Sequence, residues 1–152
     1  MNKPYELSFM LSPPDGLNAT LNKHWRGKRH YDRGIHRLVY YTTLGKIPPE
    51  PLGKFKLAFI RFSHRRYDFD NFVGALKPVV DGLRHAKIIL NDSWKATGAW
   101  LVDQQIIRKT EQEKLWVYVT EAEGQTDVAG VFSGLNGSLR DLGRKYEGEK
   151  VA

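Results

Sequence analysis

Ten residues near the middle of the chain, 54–63, restrict the possible folds more than any other stretch. Their sequence, KFKLAFIRFS, alternates as a β-strand does, because successive side chains of a strand point to opposite faces. Both faces are apolar, with Phe55, Leu57 and Phe59 on one and Ala58, Ile60 and Phe62 on the other. A strand of this kind is typical of the interior of a sheet that is covered on both sides. We therefore expect a central strand here.

Further strands are predicted before and after this central strand. Alternating side chains indicate strands at 5–11, 97–108 and 114–121. The break at 109–113 is short enough for a hairpin loop, so we expect the last two strands to form an antiparallel hairpin.

Two helices are predicted by apolar residues at helical spacing. In the first, Asp32 is the expected N-cap and Gly45 lies just past the end. The second follows Asp70, with a kink expected near Pro78, and its apolar side holds Phe72, Ala75, Leu76, Val79, Val80, Leu83 and Ala86. The predicted fold class is α+β, a small mixed or antiparallel sheet of about four to five strands with two or three helices packed on it.

The chain of 152 residues has the size of one domain, which we place at 1–123. Residues 124–152 are rich in glycine and charge, and we expect a tail in which Leu135, Leu139 and Leu142 line a short helix. No cysteine is present, which excludes a disulfide framework and a thiolate zinc site. Because no apolar run suits a signal peptide or a membrane span, we expect a soluble, cytoplasmic protein.

Positive charge is in excess, with 24 Lys and Arg against 17 Asp and Glu, and this favours a polyanionic partner. Residues 18–34 mix basic with aromatic side chains, the combination that attracts phosphates and exposed bases. Lys28 and Arg29 lie in this stretch, while Arg65 and Arg66 follow the central strand. We predict that these four residues contact a nucleic-acid backbone. The alternative for 18–34 is a solvated basic loop.

Asp68 and Asp70 lie two residues apart, directly after the central strand. In an extended segment both carboxylates would point to the same side. Like charges held this close repel unless a cation lies between them, and magnesium prefers carboxylate oxygens. The alternative is a solvated turn that leads into a helix, with one of the two aspartates as its N-cap.

Helical spacing places Gly74, Lys77, Asp81 and Arg84 opposite the apolar side of the second helix, in line with Asp70. Gly74 has no side chain and could allow a backbone or a ligand to approach closely. Lys77 and Asp81 could simply form a surface ion pair. Asp92 follows a short apolar run and could either join the acidic pair or cap a local turn.

The segments DFDN, KPVVDGL and ND resemble the RusA-type crossover-junction endodeoxyribonucleases, which resolve Holliday junctions with magnesium. The resemblance implies that Asp68, Asp70 and Asp92 bind Mg²⁺, with Mn²⁺ as a substitute, and that Lys77 is an essential catalytic lysine. It further implies a homodimer that cuts a four-way DNA junction by paired phosphodiester hydrolysis. The chain departs from the pattern at Asn91, where the founding member has an aspartate.

Two other functions fit the same residues. One is a non-catalytic module that covers branched DNA with its basic surface and uses the carboxylates structurally. The other is a related nuclease that acts on other branched DNA or on RNA. In the catalytic interpretation Asp81 orients Lys77, and Asp103 is a solvated strand residue rather than a ligand.

Overall fold

A computed structural model describes residues 4–93 and 96–122, and at 97–99 it describes the backbone alone. The predicted tail at 124–152, with its leucine-lined helix, lies outside these residues. Within the described ranges, no helix is long and apolar enough to cross a membrane.

Four strands and four helical segments make up the described chain. They are β1 (Glu6–Leu11), α1 (Leu17–Leu21), α2 (Trp25–Thr43), β2 (Phe55–Ser63), α3 (Phe69–Ala75), α4 (Lys77–His85), β3 (Thr97–Ile106) and β4 (Lys114–Glu121). The strands form one mixed sheet in the order β1-β4-β2-β3, in which only β2 and β3 run parallel. The predicted α+β class, with a small mixed sheet and helices packed on it, is confirmed.

The predicted central strand is confirmed, because β2 lies between β4 and β3 and is buried on both faces. On one face Phe55 and Phe59 are fully buried in the core that the helices cover. On the other face Ala58, Ile60 and Phe62 form a second cluster with Met10 and Trp116. Each buried phenylalanine stabilises the fold by about 1.5–3 kcal/mol, so the two-faced pattern fixes the place of β2 in the sheet.

The predicted hairpin between the last two strands is wrong. β3 and β4 do not pair with each other but bind opposite edges of β2, so that Arg61 faces Gln104 on one side and Leu115 on the other. A hairpin would have left β2 with only one of these neighbours. Because β2 is apolar on both faces, the fold is more stable with this strand between two partners than at an edge.

The first predicted helix begins earlier than expected. α2 starts at Trp25, with His24 at its N-cap accepting a hydrogen bond from the backbone N–H of Arg26 (3.4 Å). The predicted cap, Asp32, instead lies inside the helix and accepts a hydrogen bond from Lys28 Nζ at 2.7 Å. Polar residues in the first turns hide the helical period, and an i, i+4 ion pair supports the helix there. The predicted end is confirmed, since Gly45 follows with a φ of +77°.

The second predicted helix is interrupted, as the expected kink near Pro78 implied. Leu76 ends α3 and begins α4, and Pro78 lies in the first turn of α4, where its missing N–H costs no hydrogen bond. The predicted apolar side is confirmed as core, since Phe72, Ala75, Leu76, Val79, Val80, Leu83 and Ala86 are all buried.

Candidate functional site

The two aspartates after β2 do not lie in an extended strand, so the predicted alternation is wrong. Asp68 is the N-cap of α3, with φ −60° and ψ 149°, and Asp70 lies in the first turn of that helix. The ladder of β2 ends at Ser63, and the chain turns into α3 before the strand spacing can act on the aspartates. This is the turn into a helix that the alternative described, although the Asp68 side chain makes no cap hydrogen bond.

Contacts to the neighbouring strand fix the start of α3. Gln104 of β3 accepts a hydrogen bond from the backbone N–H of Tyr67 and donates one to its carbonyl, each at 2.9 Å. The buried guanidinium of Arg61 stacks on the Tyr67 ring, 3.3 Å from its centroid. These contacts hold the residue before Asp68 against the sheet, so the acidic pair projects from a fixed backbone.

Asp68 and Asp70 are exposed, and neither carboxylate has a hydrogen-bond or ion-pair partner within the described part of the chain. Phe69 lies between them with 70% of its surface exposed. A cleft of about 240 Å³ lies alongside, lined by Arg66, Tyr67, Phe69, Phe72, Val102, Asp103 and Gln104. Free carboxylate oxygens are the donors that Mg²⁺ accepts, so the chemistry of this pair fits that ion.

Lys77 and Asp92, which are 15 residues apart, are in direct contact. Lys77 Nζ donates one hydrogen bond to Asp92 Oδ2 and a second to Asp81 Oδ1, the latter at 2.9 Å. Arg84 Nη2 lies 3.9 Å from the same Asp81 oxygen. The structure thus places the ammonium between two carboxylates, and about half of the lysine side chain remains exposed.

These contacts shift the pKa values of both partners. The hydrogen bond from Lys77 lowers the pKa of Asp92 below its usual value, against a smaller opposing effect of burial. Burial by itself would lower the pKa of Lys77, but the hydrogen bonds to Asp92 and Asp81 outweigh it and raise that pKa. Both groups are therefore charged across the neutral pH range.

Asn91 forms the local turn that was the alternative role for Asp92. Its Oδ1 accepts a hydrogen bond from the Ser93 backbone N–H at 3.0 Å and another from the Ser93 hydroxyl at 2.7 Å. An Asx turn of this kind shapes the loop before β3. It leaves the neighbouring Asp92 side chain to Lys77.

The predicted line of residues from Asp70 to Arg84 holds only within α4, because the chain breaks at Leu76. Gly74 lies against α1 rather than facing a ligand, since a Cβ there would lie 2.5 Å from the Leu17 side chain. No hydrogen bond or ion pair among the described residues joins Asp68 or Asp70 to Asp92. In the same residues, no three histidine or acidic side chains are grouped closely enough to hold a metal ion.

Asn71, which follows the acidic pair, was not assigned a role from the sequence. Its Oδ1 accepts a hydrogen bond from the backbone N–H of Asn18 at 2.9 Å, so it ties α1 to α3. A Cβ on Gly16 would lie 2.8 Å from the Asn71 amide, and the glycine makes room for this contact. The two asparagines are 53 residues apart, and no local pattern could have paired them.

The four predicted backbone-contact residues lie on two separate elements. Lys28 and Arg29 are exposed in the first turns of α2, and Lys28 pairs with Asp32 there. Arg65 and Arg66 are exposed in the loop between β2 and α3, where the Ser63 hydroxyl donates a hydrogen bond to the Arg65 carbonyl at 2.7 Å. Asp103 is exposed on β3, as predicted for a solvated residue.

No protein-family model matches the sequence, and no curated protein matches it either. Among solved structures, the chain is similar to CetZ2 from Haloferax volcanii in a GTPγS-bound protofilament, with 6% sequence identity and a TM-score of 0.33. The similarity covers 93% of this chain and 35% of that protein, so the chain spans about a third of its length. A TM-score this low supports no conclusion about fold or function.

Proposed function

We propose that the protein is a magnesium-dependent, structure-selective endodeoxyribonuclease that resolves Holliday junctions by paired phosphodiester hydrolysis. The observation that carries this proposal is the contact of Lys77 with Asp92, which joins the lysine segment to the ND segment across 15 residues. The exposed pair of Asp68 and Asp70 supplies the remaining carboxylates. The resemblance to the RusA-type family supplies the reaction.

Lys77 provides the positive charge that such a reaction needs at the scissile phosphate. Its ammonium is held between Asp81 and Asp92 while part of its side chain faces solvent, so it can donate a hydrogen bond to a non-bridging phosphate oxygen. Asp81 keeps the ammonium oriented, which lowers the entropy lost when the phosphate binds. Charge that develops on the phosphate during displacement strengthens this contact.

With Asp68 and Asp70 as exposed ligands and Asp92 as the third ligand that the resemblance implies, bound Mg²⁺ would supply Lewis-acid activation of the phosphodiester and neutralise charge in the in-line displacement. Mn²⁺ is the expected substitute. Arg65 and Arg66, next to the acidic pair, offset the repulsion between carboxylates and the DNA backbone, and Lys28 and Arg29 add contacts from α2.

A four-way junction has near two-fold symmetry and needs two nicks, so we propose that the protein acts as a homodimer. We place its action in the cytoplasm of a bacterial or phage-infected cell, where such junctions form and where a chain without cysteine needs no disulfides.

A second function, a DNA-binding module without catalysis, is favoured by the local bonding of the ND segment. Asn91 is engaged in a turn with Ser93, and Asp92 is engaged with Lys77, so both side chains have structural contacts. Such a module would bind branched DNA with a strong salt dependence and leave it intact.

One incubation separates these functions. Purified protein is mixed with an end-labelled four-way junction, a matched linear duplex and a branched RNA, each with Mg²⁺ or with EDTA. We expect paired nicks in the junction only, and only with Mg²⁺. Intact junction that is shifted in a gel but never cut would favour the binding module, and cleavage of the RNA would change the substrate class.

A further inference from the structure

Helices α2 and α4 approach each other closely at Gly82. A Cβ at this position would lie 2.9 Å from Val39 Cγ2 and 3.4 Å from the Cα of His36, so a larger residue would push the helices apart. One turn further along α4, the rings of His36 and His85 stack with centroids 4.6 Å apart and an interplanar angle of 29°. The stacked pair marks where the two helices meet.

A cleft of about 350 Å³ opens at this crossing. Its lining residues are Arg33, His36, Arg37, Tyr40 and Tyr41 from α2 and His85 from α4. Small-molecule sites measure about 300–1,000 Å³, so this cleft is at the small end and suits a group the size of one nucleotide. None of the residues proposed for cleavage lines it.

The rim of the cleft carries uncompensated positive charge. Arg33 and Arg37 are exposed one turn apart, and neither guanidinium has an acidic partner in the described part of the chain. The nearby carboxylates are already engaged, Asp32 with Lys28 and Asp81 with Lys77. Two guanidinium groups at this spacing can bind one phosphate together.

His36 contributes a polar atom that lacks a partner. Its Nε2 is buried and forms no hydrogen bond with the described residues. Burial and the neighbouring His85 lower the pKa of His36, so its ring is neutral at pH 7. A buried ring nitrogen without a hydrogen bond is unfavourable, but this atom is closed off from solvent, so the phosphate contacts of the cleft come from the two arginines.

Aromatic faces complete the cleft. Tyr40 and Tyr41 are 44% and 66% exposed, and their rings meet edge to face with centroids 5.5 Å apart. Exposed aromatic rings beside cations are the platforms on which single-stranded nucleic acids stack their bases. An acidic peptide would use the guanidinium groups but would leave these rings without a matching partner.

We propose that the α2–α4 cleft binds one nucleotide of an unpaired nucleic-acid strand, with its phosphate between Arg33 and Arg37 and its base stacked on Tyr41. The strand must be unpaired, because a duplex hides the faces of its bases. The inference goes beyond the proposed cleavage function, since it uses neither the acidic pair nor Lys77.

The test is a titration of fluorescently labelled oligothymidine with the full chain, followed by anisotropy in EDTA at several salt concentrations. We expect Tyr41→Ala to weaken binding about tenfold, as for loss of one stacked base. Arg33→Gln combined with Arg37→Gln should weaken binding and reduce the salt slope by about 0.7, the value for one phosphate contact on a single strand. Tyr41 is exposed, so its replacement should leave the fold intact, which circular dichroism can check.

A matched control removes two other positive charges, by Lys54→Gln and Lys56→Gln at the start of β2. This variant should bind oligothymidine nearly as the wild type does. If it loses as much affinity as the double arginine variant, only overall charge matters and the cleft is not the site. Unchanged binding by Tyr41→Ala would overturn the stacking.

Competition by unlabelled ligands shows whether the bound nucleotide belongs to a nucleic-acid strand. We expect unlabelled oligothymidine to displace the labelled strand, while thymidine 5′-monophosphate and an oligoglutamate peptide do not. If the mononucleotide displaced the labelled strand equally well, the assignment to a strand would be wrong. If the peptide did so, the proposed recognition of the base would be wrong. Asp70→Asn separates the two proposals, because it should remove cleavage but keep binding of oligothymidine at the wild-type level.

Discussion

The acidic pair at the start of α3 differs from the α4 cluster, which is Lys77 with its partners Asp81 and Asp92, in how its charges are neutralised. Asp68 and Asp70 are exposed and have no partner among the described residues, whereas Asp92 is bound to Lys77. Free carboxylates repel each other and gain from a cation, while a carboxylate with an ammonium partner is already neutralised. Under the proposed function, we therefore expect a metal ion to bind first at the α3 pair.

The two regions also have different roles in the proposed reaction. The α3 pair projects from a backbone that Gln104 and Tyr67 hold in place, which favours a preformed site. At the α4 cluster, any cation that takes Asp92 must compete with Lys77 or share the carboxylate with it. Lys77 therefore connects metal binding to phosphate binding in the proposed reaction.

The largest expected effect comes from breaking the α3 pair. We predict that Asp70→Asn abolishes junction cleavage in Mg²⁺ while junction binding survives, because the substitution removes a proposed metal ligand and also reduces repulsion toward phosphate. A gel assay for nicks and a filter-binding assay measure the two properties. Glu50→Gln, at an exposed position in another loop, is the control and should cut normally. Wild-type cleavage by Asp70→Asn would remove the acidic pair from the site.

The next largest effect is expected at the α4 cluster. Lys77→Ala should lower the single-turnover cleavage rate by about 100- to 1,000-fold, the usual loss for one electrostatic contact made in the transition state. Junction affinity should change far less, since a single phosphate contact contributes little to it. Lys54→Ala removes an exposed lysine elsewhere and serves as the control. Equal losses in rate and affinity would make Lys77 an ordinary backbone contact.

A smaller effect is expected at Asn71, which connects the helix of the α3 pair to α1. Asn71→Ala should lower the free energy of unfolding by about 1 kcal/mol, since the Asn18 N–H loses its acceptor. Asn71→Asp keeps an acceptor oxygen and should retain most of the stability. Chemical denaturation of the three proteins measures the difference. If both variants unfold like the wild type, the hydrogen bond between α1 and α3 has no importance for stability.

The smallest effect concerns the pH dependence of the α4 cluster. The pKa of Asp92 is lower in the folded protein than in the unfolded chain, so its stabilising contribution is complete above its usual pKa of 3.8. It disappears as the pH falls through the folded-state pKa. Because Lys77 is half exposed, the contribution should stay below about 1 kcal/mol.

Denaturation of the wild type and Asp92→Asn at a series of pH values measures this contribution. The difference in their free energies of unfolding should be constant near neutrality and should vanish in acid. A difference that persists at the lowest pH would show that Asp92 stabilises the fold by something other than its charge.

The sequence predicted the elements whose apolar residues repeat at a regular spacing. The two-faced pattern of β2 gave its central place, and the apolar side of α4 and the stop at Gly45 were also predicted correctly. The pairing partners of β3 and β4 were predicted wrongly. The short loop between them favours a hairpin, but the burial of both faces of β2 makes each of them pair with β2 instead. The start of α2 was missed because its first turns are polar.

For the candidate site, the sequence predicted contacts only where helical spacing sets them, and the site roles of the residues stay a prediction. The contact of Lys77 with Asp81 follows from helical spacing, but its contact with Asp92 depends on how the chain returns after α4. The strand spacing assumed for Asp68 and Asp70 was wrong, since α3 begins between them. The Asn71 contact could not be predicted, because it depends on the packing of α1 against α3.

The central claim is that Asp68, Asp70 and Asp92 bind at one shared metal site. Paramagnetic broadening by Mn²⁺ in the presence of junction DNA tests this claim most directly. The backbone amide signals of the residues around Asp70 and around Asp92 are followed in NMR spectra as Mn²⁺ is added. We predict that both groups of signals broaden at the same Mn²⁺ concentrations and recover with excess Mg²⁺. Broadening around Asp70 alone, with the Asp92 signals unchanged, would contradict a shared metal site.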